Sequence, residues 1–309
     1  MLQALQILLK VTLVIFMVGN LLDMGLRLRL RAAMAGLRDR RFVALSLLWG
    51  FVLLPAFALL LTRIIPMGSP YAIGFILLAM TPCAPFLPPM VDRAHGDVGY
   101  TAAFMLLCLV VTVVYMPFAV PVLVKGFTAN ALTIAKPLLL FLLVPLAVGM
   151  FIQHRSEASA SRLHPIVKKV TGLDTLLMLL LCVVVYGKEF LELVGSYAIG
   201  VQILFFSVAT VAPYLLGFGL PPGQKSVLSL GMATRNLGAA FAPLFSAHDV
   251  DQRAVVMVAF GVLMQAGFSF AAATWFGRMA GGAQAGSNSA AEPVGEREGV
   301  LARKGGIDG

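Results

Sequence analysis

Charged side chains are scarce in this chain. Only 12% of its 309 residues are Asp, Glu, Lys or Arg, whereas soluble domains carry about a quarter. The three cysteines, Cys83, Cys108 and Cys182, lie in apolar stretches without metal-ligand or redox spacing, so we predict buried packing roles for them. Within the apolar stretches we find no paired acids, His-Glu metal motif or Ser/His arrangement. We therefore assign no catalytic residue, metal or cofactor.

Hydrophobic residues dominate instead. They make up 60% of the chain, whose mean hydropathy is +0.93. Apolar runs of about 20 residues recur, which is the length a helix needs to cross roughly 30 Å of hydrocarbon. We predict an all-α polytopic membrane protein with nine transmembrane helices. The predicted spans are residues 3–26, 42–62, 71–91, 98–124, 131–153, 171–187, 196–218, 226–246 and 254–278.

Basic residues are divided unequally between alternate connections. Residues 27–41 contain six arginines, and sixteen basic residues lie on one side of the predicted membrane against five on the other. The positive-inside rule places the richer side in the cytoplasm. The sequence therefore predicts a protein of the bacterial inner (plasma) membrane, with the N-terminus outside and the C-terminus in the cytoplasm. Because these basic residues lie in the connections, they do not imply nucleic acid, and we predict the lipid bilayer as a partner. Residues 280–309, rich in Gly, Ala, Ser and charge, are predicted to form a disordered cytoplasmic tail.

The predicted spans form two similar units. Spans 1–4 and spans 6–9 are separated by a single span, and an odd separator reverses the second unit, as in the inverted repeats of secondary transporters. The third span of each unit is interrupted: residues 81–90, "TPCAPFLPPM", hold four prolines, and residues 231–238, "GMATRNLG", place an arginine between glycines. A proline kink in a packed helix is the alternative for span 3. Non-helical backbone at this depth needs protein or a watery cavity to satisfy it.

Several stretches resemble the bile acid:sodium symporter family. They are "FMVGNLLDMGLRLRL" at 16–30, "VLLPAFALLL" at 52–61, "GFILLAMTPCAPFLPPMVDRAHGDVGY" at 74–100 and "GMATRNLGAAFAPL" at 231–244. The resemblance implies two discontinuous helices, spans 3 and 8, that cross in a core bundle beside a smaller panel bundle. It implies a panel of residues 3–26 and 131–190 and a core of residues 42–124 and 196–279. The implied substrate is a small organic anion, such as a bile acid or another carboxylate or sulfonate, often carried with sodium.

Most positions that hold sodium ligands in that family carry other residues here. By the resemblance, Gly231 replaces a glutamate, Arg235 a glutamine and Gly50 a glutamine, while Leu87-Pro88 replaces a Ser-Asn pair and Met105 one of two hydroxyl residues. Thr101 and Asn236 are kept, so Thr101, Gly231 and Gly50 are read as remnants of an ion site. An arginine a few Å from a bound Na⁺ in a low-dielectric cavity is repulsive by several kcal/mol. We predict that sodium coupling is absent and that Arg235 supplies a fixed positive charge.

A guanidinium suits a carboxylate or sulfonate, because it can bind either one with two parallel hydrogen bonds. The alternative is a permanent ion pair of Arg235 with Asp23 or Asp174, both predicted near cytoplasmic span ends. Half-helix N-termini at the interruptions would add partial positive charge. The predicted substrate-binding residues are Arg235, Asn236, Thr234, Pro85 and Pro88.

The sequence thus predicts a secondary transporter of an organic anion that works by alternating access. A receptor built on a degenerate transporter fold and an H⁺-coupled carrier that uses Asp23 or Asp174 are the alternatives, and an intramembrane enzyme is disfavoured. Asp97, directly before span 4, is predicted to be its N-cap and not a proton relay. Substrate identity, transport direction and oligomeric state stay open at this point.

Overall fold

The structure, a computed structural model, describes residues 2–124, 130–246 and 250–291, with side chains placed for 3–124, 130–244 and 250–281. Within these ranges the chain is helical, and its one element of β-type pairing is an isolated antiparallel bridge. The helices are α1 Leu2–Arg27, α2 Leu30–Gly36, α3 Arg40–Leu47, α4 Leu54–Ile64, α5 Ser69–Ala79, α6 Leu87–Arg93, α7 Val98–Leu123, α8 Ala131–Leu138, α9 Val144–Arg155, α10 Glu157–Val185, α11 Gly187–Glu192, α12 Ala198–Leu215, α13 Pro222–Ala233, α14 Leu237–Ser246 and α15 Gln252–Ala291.

Six helical segments in the described part of the chain are long and apolar enough to cross a membrane. They are Gln3–Arg27, Arg40–Ile64, Val98–Leu123, Ala131–Arg155, Ala198–Leu215 and Gln252–Gly281. The predicted class, an all-α integral membrane protein, is confirmed. The other three predicted spans fall on the interrupted pairs α5/α6 and α13/α14 and on α10. The count of nine spans, the inverted repeat and the orientation stay predictions.

Two of the spanning segments contain a π-helical turn directly before a proline. Residues Leu48–Leu53 join α3 to α4, and Leu139–Leu143 join α8 to α9. Pro55 and Pro145 follow in the first turns of α4 and α9. Because proline has no N–H to donate to the preceding turn, the helix widens locally and then resumes.

The packing of α1 is close and uses glycine. α1 lies against α9 and α10, whereas α5 packs on α15 and α12 on α13. A Cβ added at Gly25 would come within 2.9 Å of the Gly149 Cα, so both residues must be glycine-sized for α1 and α9 to meet backbone to backbone. The assignment of residues to a panel bundle and a core bundle stays a prediction.

Helix ends follow the caps that the sequence offers. Asp97 accepts a hydrogen bond from the Tyr100 N–H (3.1 Å), which confirms it as the N-cap of α7. At the other end of the chain α15 continues to Ala291, so residues 280–291, predicted as the start of a disordered tail, are helical in the structure. The remainder of the predicted tail, residues 292–309, lies outside the described residues.

Candidate functional site

Two interrupted helices meet at the centre of the site. α5 ends at Ala79 and α6 begins at Leu87, and α13 ends at Ala233 before α14 begins at Leu237. Both interruptions that the sequence predicts are therefore present. Their extended residues pair as a single antiparallel bridge between Pro82 and Arg235.

Each interruption satisfies backbone groups of the other. The Cys83 N–H donates to the carbonyls of Gly231 (3.2 Å) and Thr234 (2.9 Å), and the Asn236 N–H donates to the Thr81 carbonyl (2.8 Å). Cys83 holds a φ of 73°, a left-handed conformation that costs a non-glycine residue free energy. The bridge supplies the partners that unwound backbone requires away from water.

Arg235 is wholly buried at this contact. Its Nη1 donates to the Ala79 carbonyl (3.2 Å) and its Nη2 to the Met232 carbonyl (2.8 Å). Its Cζ lies 4.9 Å from the ring centroid of Phe205, within the range of a cation–π contact. Its backbone N–H donates to Oε1 of Gln265 at 2.6 Å.

The two carbonyls that receive the guanidinium share one property. Ala79 is the last residue of α5, and Met232 is the next to last of α13. The final carbonyls of a helix lack intrahelical partners and carry its partial negative charge. One guanidinium therefore neutralises the C-terminal ends of both half-helices that stop at the crossing.

Neither acid considered as a partner for Arg235 is paired with it. Asp23 bonds to Arg27 at 2.7 Å, and Asp174 has a buried Oδ2 without a hydrogen-bond partner. Among the side chains that the structure describes, no carboxylate lies within 4 Å of the Arg235 guanidinium. Its charge is thus balanced by helix ends and an aromatic face, and by no acid in that set.

A cavity of about 260 Å³ lies beside the crossing, between the two interruptions, α1, α10 and α15. Its neutral polar residues are Asn20, Thr175, Asn236 and Gln265. Phe16 and Phe86 add apolar surface, and Pro85 belongs to the wall. Such a concave, largely apolar space with a few polar groups is the usual form of a small-molecule site.

The structure separates the predicted site residues. Asn236 and Pro85 line the cavity, and Arg235 borders it with its side chain turned into the protein. The Thr234 hydroxyl is buried and accepts a hydrogen bond from the Ala84 N–H (3.2 Å). Pro88 lies in the first turn of α6, outside the lining.

Three polar lining residues are not among the site residues predicted from the sequence. Asn20, Thr175 and Gln265 come from α1, α10 and α15, which are distant along the chain. The sequence feature that indicates such residues is a polar side chain within an apolar run, because a polar group inside a predicted span usually faces protein or a cavity.

Side chains fill the positions that the family resemblance maps to sodium ligands. A Cβ added at Gly231 would lie 2.6 Å from Cζ of Phe104, and one at Gly50 would lie 3.1 Å from Cγ of Pro82. Thr101 donates its hydroxyl to a carbonyl of its own turn. A sodium ion prefers several oxygen ligands, and an aromatic ring, a pyrrolidine ring and a bonded guanidinium do not fit that role.

The structure combines apolar helices long enough to span a membrane with two interrupted helices beside a shared cavity. These features define a polytopic helical membrane protein. Within that class, the Sodium Bile acid symporter family matches residues 12–193, more than half of the chain, and the chain belongs to that family. The family resemblance stated from the sequence is confirmed. The match ends before α12, so α13, Arg235 and α14 lie outside the matched segment. A comparison with curated proteins finds no match.

Proposed function

We propose that the protein is a secondary transporter that moves a small organic anion by alternating access. The observation that carries the proposal is the composition of the cavity wall. Asn20 and Thr175 come from the proposed panel, and Asn236 and Gln265 come from the proposed core. A substrate held between two bundles becomes accessible from alternate sides when one bundle moves against the other.

The cavity favours a compact anion. Its volume of about 260 Å³ is below the range of roughly 300–1,000 Å³ that drug-sized ligands occupy. The amides of Asn236 and Gln265 supply neutral polar groups, and the buried Arg235 supplies a positive charge that no described carboxylate neutralises. We infer a small carboxylate or sulfonate as substrate in preference to a steroid-sized one. From the border of the cavity, the positive charge of Arg235 attracts the negative charge of the substrate.

We further propose that sodium does not drive transport. The Arg235 guanidinium is bonded to the carbonyl ends of both half-helices, and the Phe104 ring fills the space at Gly231. Carrying one negative charge inward against 100 mV opposes uptake by about 2.3 kcal/mol. Without a cotransported cation, exchange of one anion for another or efflux is the natural mode.

Counterflow in proteoliposomes tests this function. Vesicles are preloaded with unlabelled small carboxylates or sulfonates, and uptake of labelled substrate is measured with external sodium or with potassium in its place. We expect acceleration by internal substrate and equal rates in both salts. A steep sodium dependence would remove the sodium-independent mechanism, and binding without counterflow would identify a receptor.

One observation favours proton coupling as a second candidate. Asp174 is buried in α10, next to the cavity residue Thr175, and its Oδ2 lacks a partner. If a proton accompanies the anion, a pH gradient should drive uptake, and Asp174→Asn should abolish that drive while exchange continues. Equal stimulation of the variant and the wild type would eliminate Asp174 as the coupling group.

A further inference from the structure

A second and larger cavity lies away from the crossing, where α1 and α9 end. Its volume is about 780 Å³, and its wall includes Arg29, Arg31 and His154 together with Leu30 and Phe151. A polar cavity of about 280 Å³ adjoins it and shares Arg29 with it. Neither cavity includes a residue of the proposed substrate site.

The larger cavity crosses the expected boundary between hydrocarbon and headgroups. The candidate spans Gln3–Arg27 and Ala131–Arg155 both end beside it. Arg29 and Arg31 lie just beyond the first span, whereas Phe151 lies inside the second, about one turn from its end. One end of the cavity therefore faces the level of lipid headgroups, and the other faces acyl chains.

Charge within the cavity is predominantly basic. Glu157 is the one acid in its wall, and its Oε1 lies 2.7 Å from Nη2 of Arg29. Both side chains of this pair are well exposed, at 71% for Arg29 and 65% for Glu157, so the pair is accessible to a competing anion. Arg31 makes no ion pair with any side chain that the structure describes.

The apolar wall favours an amphipathic ligand over a purely ionic one. Phe151 is 64% exposed and Leu30 is 49% exposed. A free phosphate would leave this apolar surface unused, whereas a phospholipid would cover it with the upper part of its chains. The requirement is an amphipathic anion with a headgroup near Arg29 and Arg31.

We propose that this cavity binds an anionic phospholipid such as phosphatidylglycerol. The phosphate competes with Glu157 for Arg29 and bonds to Arg31, and His154 offers a further polar contact. The acyl chains lie against Leu30 and Phe151. Basic pockets between membrane helices at the cytoplasmic face are suited to anionic headgroups, and the positive-inside rule assigns this end to the cytoplasm. The site does not rest on the proposed transport function.

Native mass spectrometry and thermal unfolding of the full chain in detergent test the site. Phosphatidylglycerol and phosphatidylcholine with identical chains are titrated into the protein. We expect saturable binding and a rise in melting temperature with phosphatidylglycerol, at concentrations where phosphatidylcholine has little effect.

Three variants localise the effect. The pair Arg29→Gln/Arg31→Gln should weaken phosphatidylglycerol binding by about tenfold or more, since two phosphate partners are lost. The matched control Arg38→Gln/Arg40→Gln removes two exposed arginines of the same connection that do not line the cavity, and it should change binding less than about twofold. Glu157→Gln should tighten binding, because it frees Arg29 and removes the repulsive acid.

Clear outcomes would overturn the proposal. Equal weakening by both arginine pairs would indicate diffuse surface charge, and equal stabilisation by phosphatidylcholine would indicate a site without headgroup selectivity. Stabilisation by inorganic phosphate or by glycerophosphoglycerol as large as that by the lipid would indicate a site for a soluble anion. If Arg29→Gln/Arg31→Gln melts lower than the wild type even without lipid, the phosphatidylglycerol affinity of Glu157→Gln decides whether the site exists. Tighter binding supports the site, and unchanged or weaker binding contradicts it.

Discussion

The Nη2 of Arg235 lies 2.8 Å from the carbonyl oxygen of Met232, three residues earlier in the same chain. This hydrogen bond lies at the C-terminal end of α13, while Nη1 of the same side chain donates to the carbonyl at the end of α5. A fully buried cation is costly in isolation, and here it is held by two carbonyls and the Phe205 ring. The guanidinium thus connects the ends of the two interrupted helices and is part of the structural frame of the crossing.

Replacing Arg235 by glutamine should destabilise the protein. The Gln side chain is uncharged and cannot bond to both carbonyls. Losing hydrogen bonds to a charged group costs about 1.5–3 kcal/mol. Arg235→Lys should fall between, because an ammonium can serve one carbonyl well. Thermal unfolding in detergent measures the difference.

The matched control is Arg253→Gln, which removes an arginine from the exposed pair with Asp251 (2.7 Å). Exposed ion pairs contribute about 0–1 kcal/mol, so this variant should melt close to the wild type. Unchanged melting of Arg235→Gln would show that the buried guanidinium contributes nothing net to the frame.

Adding a single methyl group at Gly231 should be destabilising. The new Cβ would lie 2.6 Å from Cζ of Phe104, which is itself fully buried. Overpacking of this kind costs about 1–3 kcal/mol. In a Phe104→Leu background, where the ring is gone, the same Gly231→Ala change should cost less.

The double-mutant cycle measures this coupling from four melting curves. Contacting residues show interaction energies of about 0.5–3 kcal/mol. Equal costs of Gly231→Ala in both backgrounds would mean that the Phe104 ring does not occupy the space at Gly231.

Removing the Thr175 hydroxyl should weaken substrate binding and leave stability nearly intact. The Thr175 hydroxyl donates to the Thr171 carbonyl (2.7 Å) and its residue lines the cavity. Thr210 makes the same kind of bond, to the Phe206 carbonyl, but lies outside the cavity. In counterflow assays Thr175→Val should raise KM several-fold, since about 0.5–1.5 kcal/mol is lost with one neutral hydrogen bond. A similar rise in Thr210→Val would argue against the cavity as the substrate site.

The N-cap of α3 should make stability depend on pH at the acid end. Hydrogen bonds from the Phe42 N–H, and then from the Tyr100 hydroxyl and the Arg41 N–H, lower the pKa of the Asp39 carboxyl. A carboxyl with a lowered folded-state pKa stabilises the protein at pH values above its unfolded pKa of about 4. That contribution is lost as the pH falls through the lowered value.

Asp39→Ala should therefore lower the free energy of unfolding at neutral pH by the cost of a lost cap, about 0.5–2 kcal/mol, and by less at pH 3. The melting temperature should fall accordingly. Asp39→Asn keeps an acceptor for the first turn of α3 and should retain most of the stability. An Asp39→Ala deficit that is the same at both pH values would show that the charge of Asp39 is not what stabilises the cap.

Much of the architecture follows from local sequence. The apolar runs predict the spanning helices because only a helix satisfies its own backbone in hydrocarbon. The prolines before Leu87 and the glycines around Arg235 predict both interruptions, since those residues weaken helix locally. Asp97 is readable as a cap for the same reason, because its bond to the Tyr100 N–H involves neighbours in the chain.

The direction of the Arg235 side chain cannot be predicted from local sequence. Its partner Ala79 is 156 positions away in the chain, and the carbonyl is free only because α5 ends there. The sequence favours an anion as the nearest partner for a buried cation, whereas the structure supplies two helix ends. Asn20, Thr175 and Gln265 converge for the same long-range reason, through the packing of α1, α10 and α15.

The glycine contact between α1 and α9 has a mechanical consequence. Because Gly25 and Gly149 bring the two backbones into direct contact, we expect α1 and α9 to move together. Shear during a transport cycle should accordingly be confined to the opposite flank of α1, where Phe16 and Asn20 face the crossing. A crosslink across the α1–α9 seam should leave turnover intact, whereas one from α1 to the crossing should arrest it.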